Sequence, residues 1–365
     1  MRFFCSYQLV ITVDGHYLII RADASTRIGT GHLMRCLALG QAWKDAGAEV
    51  IFITSCDNES LLQRLRNEQF QIVMVKYPYP DPADWEITLR ILSKHPDAWV
   101  VLDGYHFNSE YQRKVKEIGH NKLLVIDDMA HLDHYYADIV LNLNLHGEEL
   151  SYSREAYTRL LLGTRYVLIR REFLKWREWK REIPEVARKV LVTMGGGDPD
   201  NVTLKVIRAM NRLKLRDLEV KVAIGPSNPH MASFKEAVNH SPFTIHLLPD
   251  VKNMPKLMAW ADLAVSAAGS TCWELTFMGL PAVVLELAEN QQGIAVGLDK
   301  AGVALCLGWH TEVSIAQIEN RLSRLLEDRI LRLQMSQQGQ ILVDGMGTDR
   351  VVESLLWSHS TLPVR

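Results

Sequence analysis

"RADASTRIGTGHLMRCLALG", residues 21–40, joins a buried run to a helical pattern through a turn holding two glycines and a histidine. Before the turn, "LIIRAD" (18–23) is apolar and then polar, as expected of a core strand reaching its carboxyl end. After it, "LMRCLALGQAWKDAG" (33–47) spaces its apolar residues for a helix. A strand passed to a helix through glycines opens a βαβ unit, and ligands of doubly wound sheets lie at such strand ends. The turn therefore poses the functional question as well as the fold: what does His32 do between Gly29 and Gly31?

The same rhythm continues along the chain. "AEVIFIT" (48–54), "FQIVMV" (70–75), "AWVVLDG" (98–104), "KLLVIDD" (122–128) and "ADIVLNL" (137–143) read as further strands separated by helical stretches. After residue 145 a charged stretch interrupts it, and the rhythm resumes with "KVLVTMGGGD" (189–198), "LEVKVAIG" (218–225), "FTIHLLP" (243–249), "ADLAVSAAG" (261–269) and "PAVVLEL" (281–287). We expect an α/β chain of two Rossmann-like, doubly wound parallel-sheet domains facing a central cleft. Residues 1–145 form the first, 146–186 a connector, and 187–365 the second, with a helical tail from about Ile315.

Bulk properties exclude several classes. The chain has 365 residues, 47% hydrophobic and 23% charged, which describes a folded two-domain protein. A net charge of -2 gives no electrostatic case for nucleic acid as a partner. No apolar run approaches the ~20 residues of a spanning helix. The five cysteines (Cys5, Cys36, Cys56, Cys272, Cys306) are dispersed, as expected of reduced thiols in a cytoplasmic protein. "MRFFCSYQLVITVDG" (1–15) lacks a clear cleavage site and reads as an extension before the first core strand.

Both halves carry glycines directly after their opening strand, "RIGTGH" and "MGGGDPDN", the latter including Gly196. Neither has the dinucleotide or P-loop spacing, which disfavours a dehydrogenase. "SAAGSTCWELTFMGLPAVVLE" (266–286) is more specific. Gly269, Ser270 and Thr271 fall at a helix start, where uncovered amides can bind a diphosphate. Glu274, one turn later, either caps that helix or accepts hydrogen bonds from a ribose diol. "ENQQG" then brings Asn290 and Gln291 to the next strand end as uncharged polar groups.

"GST-x-x-E … GxP … ENQ" in a second α/β half resembles nucleotide-sugar enzymes of the GT-B architecture. With "RADASTRIGTGHLMRCLALG", "LDGYHF" (102–107), "VIDDMAHLDHYYADIVLNLNL" (125–145), "YVLIRREF" (166–173) and "VTMGGGDPDN" (192–201), the chain is similar to one branch of them. That branch is the UDP-2,4-diacetamido-2,4,6-trideoxy-β-L-altropyranose hydrolase family of pseudaminic acid biosynthesis. The resemblance runs from about Leu18 to about residue 310. It implies a UDP-sugar substrate, no cofactor or metal, and hydrolysis at the anomeric C–O bond; we expect a monomer with no membrane insertion. His32 would be the general base, against a plain helix-start histidine. Tyr105 would position substrate or water, against covering the sheet edge. Arg35 reads as a phosphate ligand or an exposed helix arginine, and Arg170 as a pyrophosphate or sugar contact once the halves close. Asp23 would orient His32 or cap the turn with Ser25 and Thr26; Asp127 and Asp128 suggest a metal pair or, as we prefer, turn caps. A glycosyltransferase on the same fold and a non-catalytic nucleotide-sugar-binding protein are the competing functions.

Overall fold

The computed structural model describes residues 16–25, 28–215, 217–225 and 228–357. The N-terminal extension, Cys5 and the proposed cap Thr26 lie outside the described residues.

Apolar β-branched runs make two parallel sheets. The first contains β1 (Tyr17–Ala22), β2 (Glu49–Thr54), β3 (Gln71–Met74), β4 (Trp99–Asp103), β5 (Lys122–Ile126), β6 (Ile139–Asn142) and β7 (Arg159–Leu162), in the order β3-β2-β1-β4-β5-β6-β7. The second contains β8 (Lys189–Thr193), β9 (Glu219–Ile224), β10 (Thr244–Pro249), β11 (Leu263–Ala267), β12 (Ala282–Glu286) and β13 (Ala304–Trp309), in the order β10-β9-β8-β11-β12-β13. Both orders reverse direction beside the opening strand, and that switch point is where a crevice forms.

Alternation along β1 explains how both faces of the first sheet are covered. Leu18 and Ile20 pack with Val50, Phe52 and Leu124, while Ile19 packs on the other face with Ile51, Val100 and Leu123. The first of these cores continues without interruption into the second half, through residues such as Leu257, Trp273 and Leu280. The halves thus meet through apolar side chains as well as across the crevice.

Two strands were not read from the sequence, β7 and β13. Each lies at a sheet edge, only partly buried, so neither needs the continuous apolar run that marks a central strand. The tail also behaves differently from the sequence reading. Its last described helix, Gly347–Trp357, crosses back to the first half and packs against the helix Gly31–Asp45. It buries Val351, Val352 and Leu355, and the Trp99 indole N–H donates to the Leu355 carbonyl at 3.1 Å. No helix among the described residues is long and apolar enough to cross a membrane.

Leu355→Ala therefore tests a contact between chain ends. Removing this fully buried side chain should cost about 2–5 kcal/mol in denaturant unfolding. An unchanged midpoint would mean that the returning helix contributes nothing to the first half's stability.

Candidate functional site

The switch points of the two sheets face each other across a crevice with a cavity volume of about 200 Å³. Gly29, Gly31 and His32 line it from the first half; Gly196, Gly269, Ser270 and Thr271 line it from the second. Gly29 adopts φ +80°, a left-handed conformation that a side chain would strain. Gly196 is required for a different reason: a Cβ there would sit 2.4 Å from Thr30 Cγ2 across the interface. The two turns approach each other this closely because Gly196 has no side chain where the Thr30 side chain of the first turn meets it.

His32 sits in the first turn of the helix Gly31–Asp45, and its Nδ1 lies 2.6 Å from Asp103 Oδ1. Burial alone would raise the Asp103 carboxyl, but Arg35 and His32 beside it overcome that and hold it well below the usual carboxylate range. An ionised carboxylate only accepts, so Nδ1 carries a proton, and in the neutral imidazole the lone pair is on Nε2. Among the described residues no group bonds Nε2, and His32 lines the crevice. This is a base held in one tautomer.

Arg35 is buried and bridges two carboxylates. Its Nε and Nη2 donate to Asp103 at 2.6 and 2.7 Å, and its Nη1 donates to both oxygens of Asp128 at 2.9 and 2.7 Å. Burial opposes the charge of Arg35, yet Asp103 and Asp128 push its pKa well up. Tyr105 continues the network, donating to Asp128 Oδ2 at 2.7 Å and accepting from Asn290 Nδ2 of the second half at 3.1 Å. Burial and then the Asp128 charge push the Tyr105 phenol well above its ordinary value, so it stays neutral. Its ring lies edge-on to His32, with centroids 5.1 Å apart.

Across the crevice, Ser270 begins the helix Thr271–Phe277 without a side-chain capping bond. Glu274 is not its cap either. Arg170 grips that carboxylate with Nε at 2.6 Å and Nη2 at 2.8 Å, and its Nη1 reaches Glu172 at 2.8 Å. Glu172 is bound in turn by Arg64 from the first half. Gln291 lines the crevice too, with its carbonyl oxygen accepting from Leu287 N at 2.9 Å.

Several readings of single residues need correction. Arg35 is no exposed helix arginine, and its guanidinium is directed at carboxylates of its own half. Tyr105 is no mere cover for a sheet edge, because its hydroxyl joins the two halves. Asp23 does not orient His32: it pairs with buried Arg21 and accepts from Ser55 N at 2.7 Å. Asp127 and Asp128 do not act as a pair. Asp127 accepts from Met129 N, His131 and Tyr135, closing its own turn, while Asp128 serves Arg35, Tyr105 and Asn144.

Residues 190–346 match the family described as Glycosyltransferase family 28 C-terminal domain. Over its length the chain is similar to the spore coat polysaccharide biosynthesis protein SpsG of Bacillus subtilis, 27% identical over 92% of this chain and 96% of that one. It is also similar to the UDP-2,4-diacetamido-2,4,6-trideoxy-beta-L-altropyranose hydrolase of Campylobacter jejuni, 23% identical over 78% of this chain and 97% of that one. Among solved structures, MurG of Acinetobacter baumannii superposes with a TM-score of 0.68 at 17% identity, covering 94% of this chain and 99% of that one. The fold is GT-B.

Within that GT-B frame, sequence reasoning missed Asp103 as the partner of His32 and missed Asn144 altogether. β4 pairs with β1 so that Asp103 lies beside Ala22, one residue before Asp23. The signal was an aspartate ending a strand; choosing between the two aspartates required the strand order.

Asp103→Asn should destabilise the fold by about 1–3 kcal/mol, since it removes the charge-assisted bonds that Asp103 accepts from buried Arg35 while Asp128 still balances that charge. The pH dependence has a definite sign. The folded carboxyl is held below its ordinary value of about 3.9, so its contribution is complete above that value and is lost as pH falls toward the folded one. The gap between wild type and variant in urea unfolding should be flat from about pH 8 to about pH 5 and narrow below about pH 4. A gap that widens in acid would contradict the assignment.

Proposed function

We propose that the chain hydrolyses a UDP-linked 2,4-diacetamido-2,4,6-trideoxy hexose at the anomeric C–O bond, with inversion, releasing UDP and the free sugar. One observation carries the reading: His32 is fixed through Nδ1 by Asp103, with Nε2 unbonded in a crevice whose opposite wall is the glycine-bearing helix start Gly269–Thr271. An imidazole in this tautomer takes a proton from water as the water oxygen attacks the anomeric carbon. The bond to the diphosphate breaks, its electron pair leaves with the phosphate oxygen, and the amides of Gly269, Ser270 and Thr271 stabilise that charge. UDP is a good leaving group, so a dedicated general acid is less necessary than for an ordinary glycoside.

The remaining residues take consistent parts. Tyr105 and Asn290, bonded across the halves, position the sugar and the water. Glu274 faces the ribose diol and Arg170 the diphosphate, after exchanging part of their mutual ion pair for ligand. Similarity to the Campylobacter jejuni hydrolase over most of both chains supports water as the acceptor. A glycosyltransferase using the same donor site is the second reading, favoured by the family 28 match over residues 190–346. It differs in one respect: an acceptor hydroxyl stands where the hydrolase holds water.

Incubation with a panel of UDP-diacetamido sugars, without any acceptor, should release UDP and reducing sugar in equal amounts. UDP release that appears only when an acceptor is added would favour the transferase. His32→Asn should lower turnover roughly a hundredfold or more, within the usual span for a general base, while UDP affinity stays near wild type. A variant hydrolysing at a near-normal rate would remove His32 from the mechanism.

A further inference from the structure

Asn144, two residues beyond β6, is completely buried and lines the crevice. The orientation of its carboxamide is fixed by its neighbours. Asn142 Oδ1 accepts from the Asn144 backbone N–H at 3.0 Å, and Asn142 Nδ2 donates to Tyr152 at 2.9 Å, so the Asn142 oxygen is identified. Asn144 Nδ2 donates to that oxygen at 2.9 Å and to Asp128 Oδ1 at 2.7 Å. Turning the amide over would set its oxygen against two acceptors. The other atom, Asn144 Oδ1, is buried and no described group donates to it.

On the second half, Trp273 lines the same crevice and is 2% exposed, with an indole N–H that no described group accepts. Buried polar atoms are nearly always paired, so an orphaned acceptor and an orphaned donor in one crevice call for a common explanation. The lining of the crevice also includes the apolar residues Leu143 and Ile294.

We propose that Asn144 Oδ1 and the Trp273 indole recognise an N-acyl substituent of the bound sugar, making these two residues determinants of amino-sugar specificity. The amide N–H donates to Asn144, the acyl oxygen accepts from Trp273, and the methyl group lies against Leu143 and Ile294. A hydroxyl can donate to one orphaned atom and accept from the other, but it offers nothing to the apolar wall. The inference rests on the nucleotide-sugar reading above and extends it from the leaving group to the sugar.

Its test is binding, measured by calorimetry on the His32→Asn background, in which the sugar nucleotide persists and which stands for wild type here, with three ligands: UDP, a UDP-2,4-diacetamido-2,4,6-trideoxy hexose, and the UDP-6-deoxyhexose of the same configuration with hydroxyls in place of both acetamido groups. Wild type should prefer the diacetamido ligand at least about tenfold, as a site built around an amide should. Asn144→Leu and Trp273→Phe should each reduce that preference to about threefold or less. UDP affinity should be unchanged, since UDP carries no acyl group. Trp273→Phe keeps the ring in the core, so it decides the matter if Asn144→Leu folds poorly. A preference that persists in both variants, or is absent from wild type while UDP binds, overturns the inference and leaves the hydrolase reading standing. A parallel loss of UDP affinity in both variants would make the residues structural and also overturns it. If wild type binds neither UDP nor either UDP-sugar, the reading and the inference fall together.

Discussion

The guanidinium of Arg35, buried between Asp103 and Asp128, is the contact on which the site depends. Burying three charges is expensive, several kcal/mol for each ion, and only close multidentate geometry offsets that cost. The geometry is available because β4 and β5, ending in Asp103 and reaching Asp128, lie side by side next to the helix that carries Arg35. Once Arg35 is seated, Asp103 remains ionised and fixes the tautomer of His32. Asp128 meanwhile orders Tyr105 and Asn144. A single cation thus sets the direction of the base, the phenol and the carboxamide.

The halves are joined by polar contacts of the same directness. Tyr105 meets Asn290 over the crevice, and Ser60 donates to Asp250 at 3.0 Å near its outer edge. A chain of ions from Arg64 through Glu172 and Arg170 to Glu274 connects the first half, the connector and the helix that starts at Thr271. Asn290 also lines the crevice, so one side chain serves both the wall of the site and the placement of the halves. These polar contacts add to the apolar core that already runs from one half into the other.

Much of the fold was legible because parallel strands covered on both faces leave continuous apolar runs, as at 18–20 and 281–285. Edge strand β7 is only four residues long and went unread, as did β13 despite the apolar run at 303–307. The glycine turns and the helix start at Gly269–Thr271 were legible because backbone chemistry there restricts residue type locally. The partnerships were less so. Asp23 stands nearer to His32 in the chain than Asp103 does, yet strand order gives Asp103 to the histidine and Asp23 to Arg21. Glu274 has the spacing of a helix cap, but Arg170, far away in sequence, claims its carboxylate. Long-range pairing decided these cases, and local pattern carries no record of it.

The central claim is that His32 delivers water to carbon from the first half while the second half holds the diphosphate. Hydrolysis in ¹⁸O-labelled water tests this directly, with both products analysed by mass spectrometry. The account predicts one label in the released sugar and none in UDP, because the sugar lies between the base and the phosphorus. Label in UDP would mean attack at phosphorus and would contradict the mechanism.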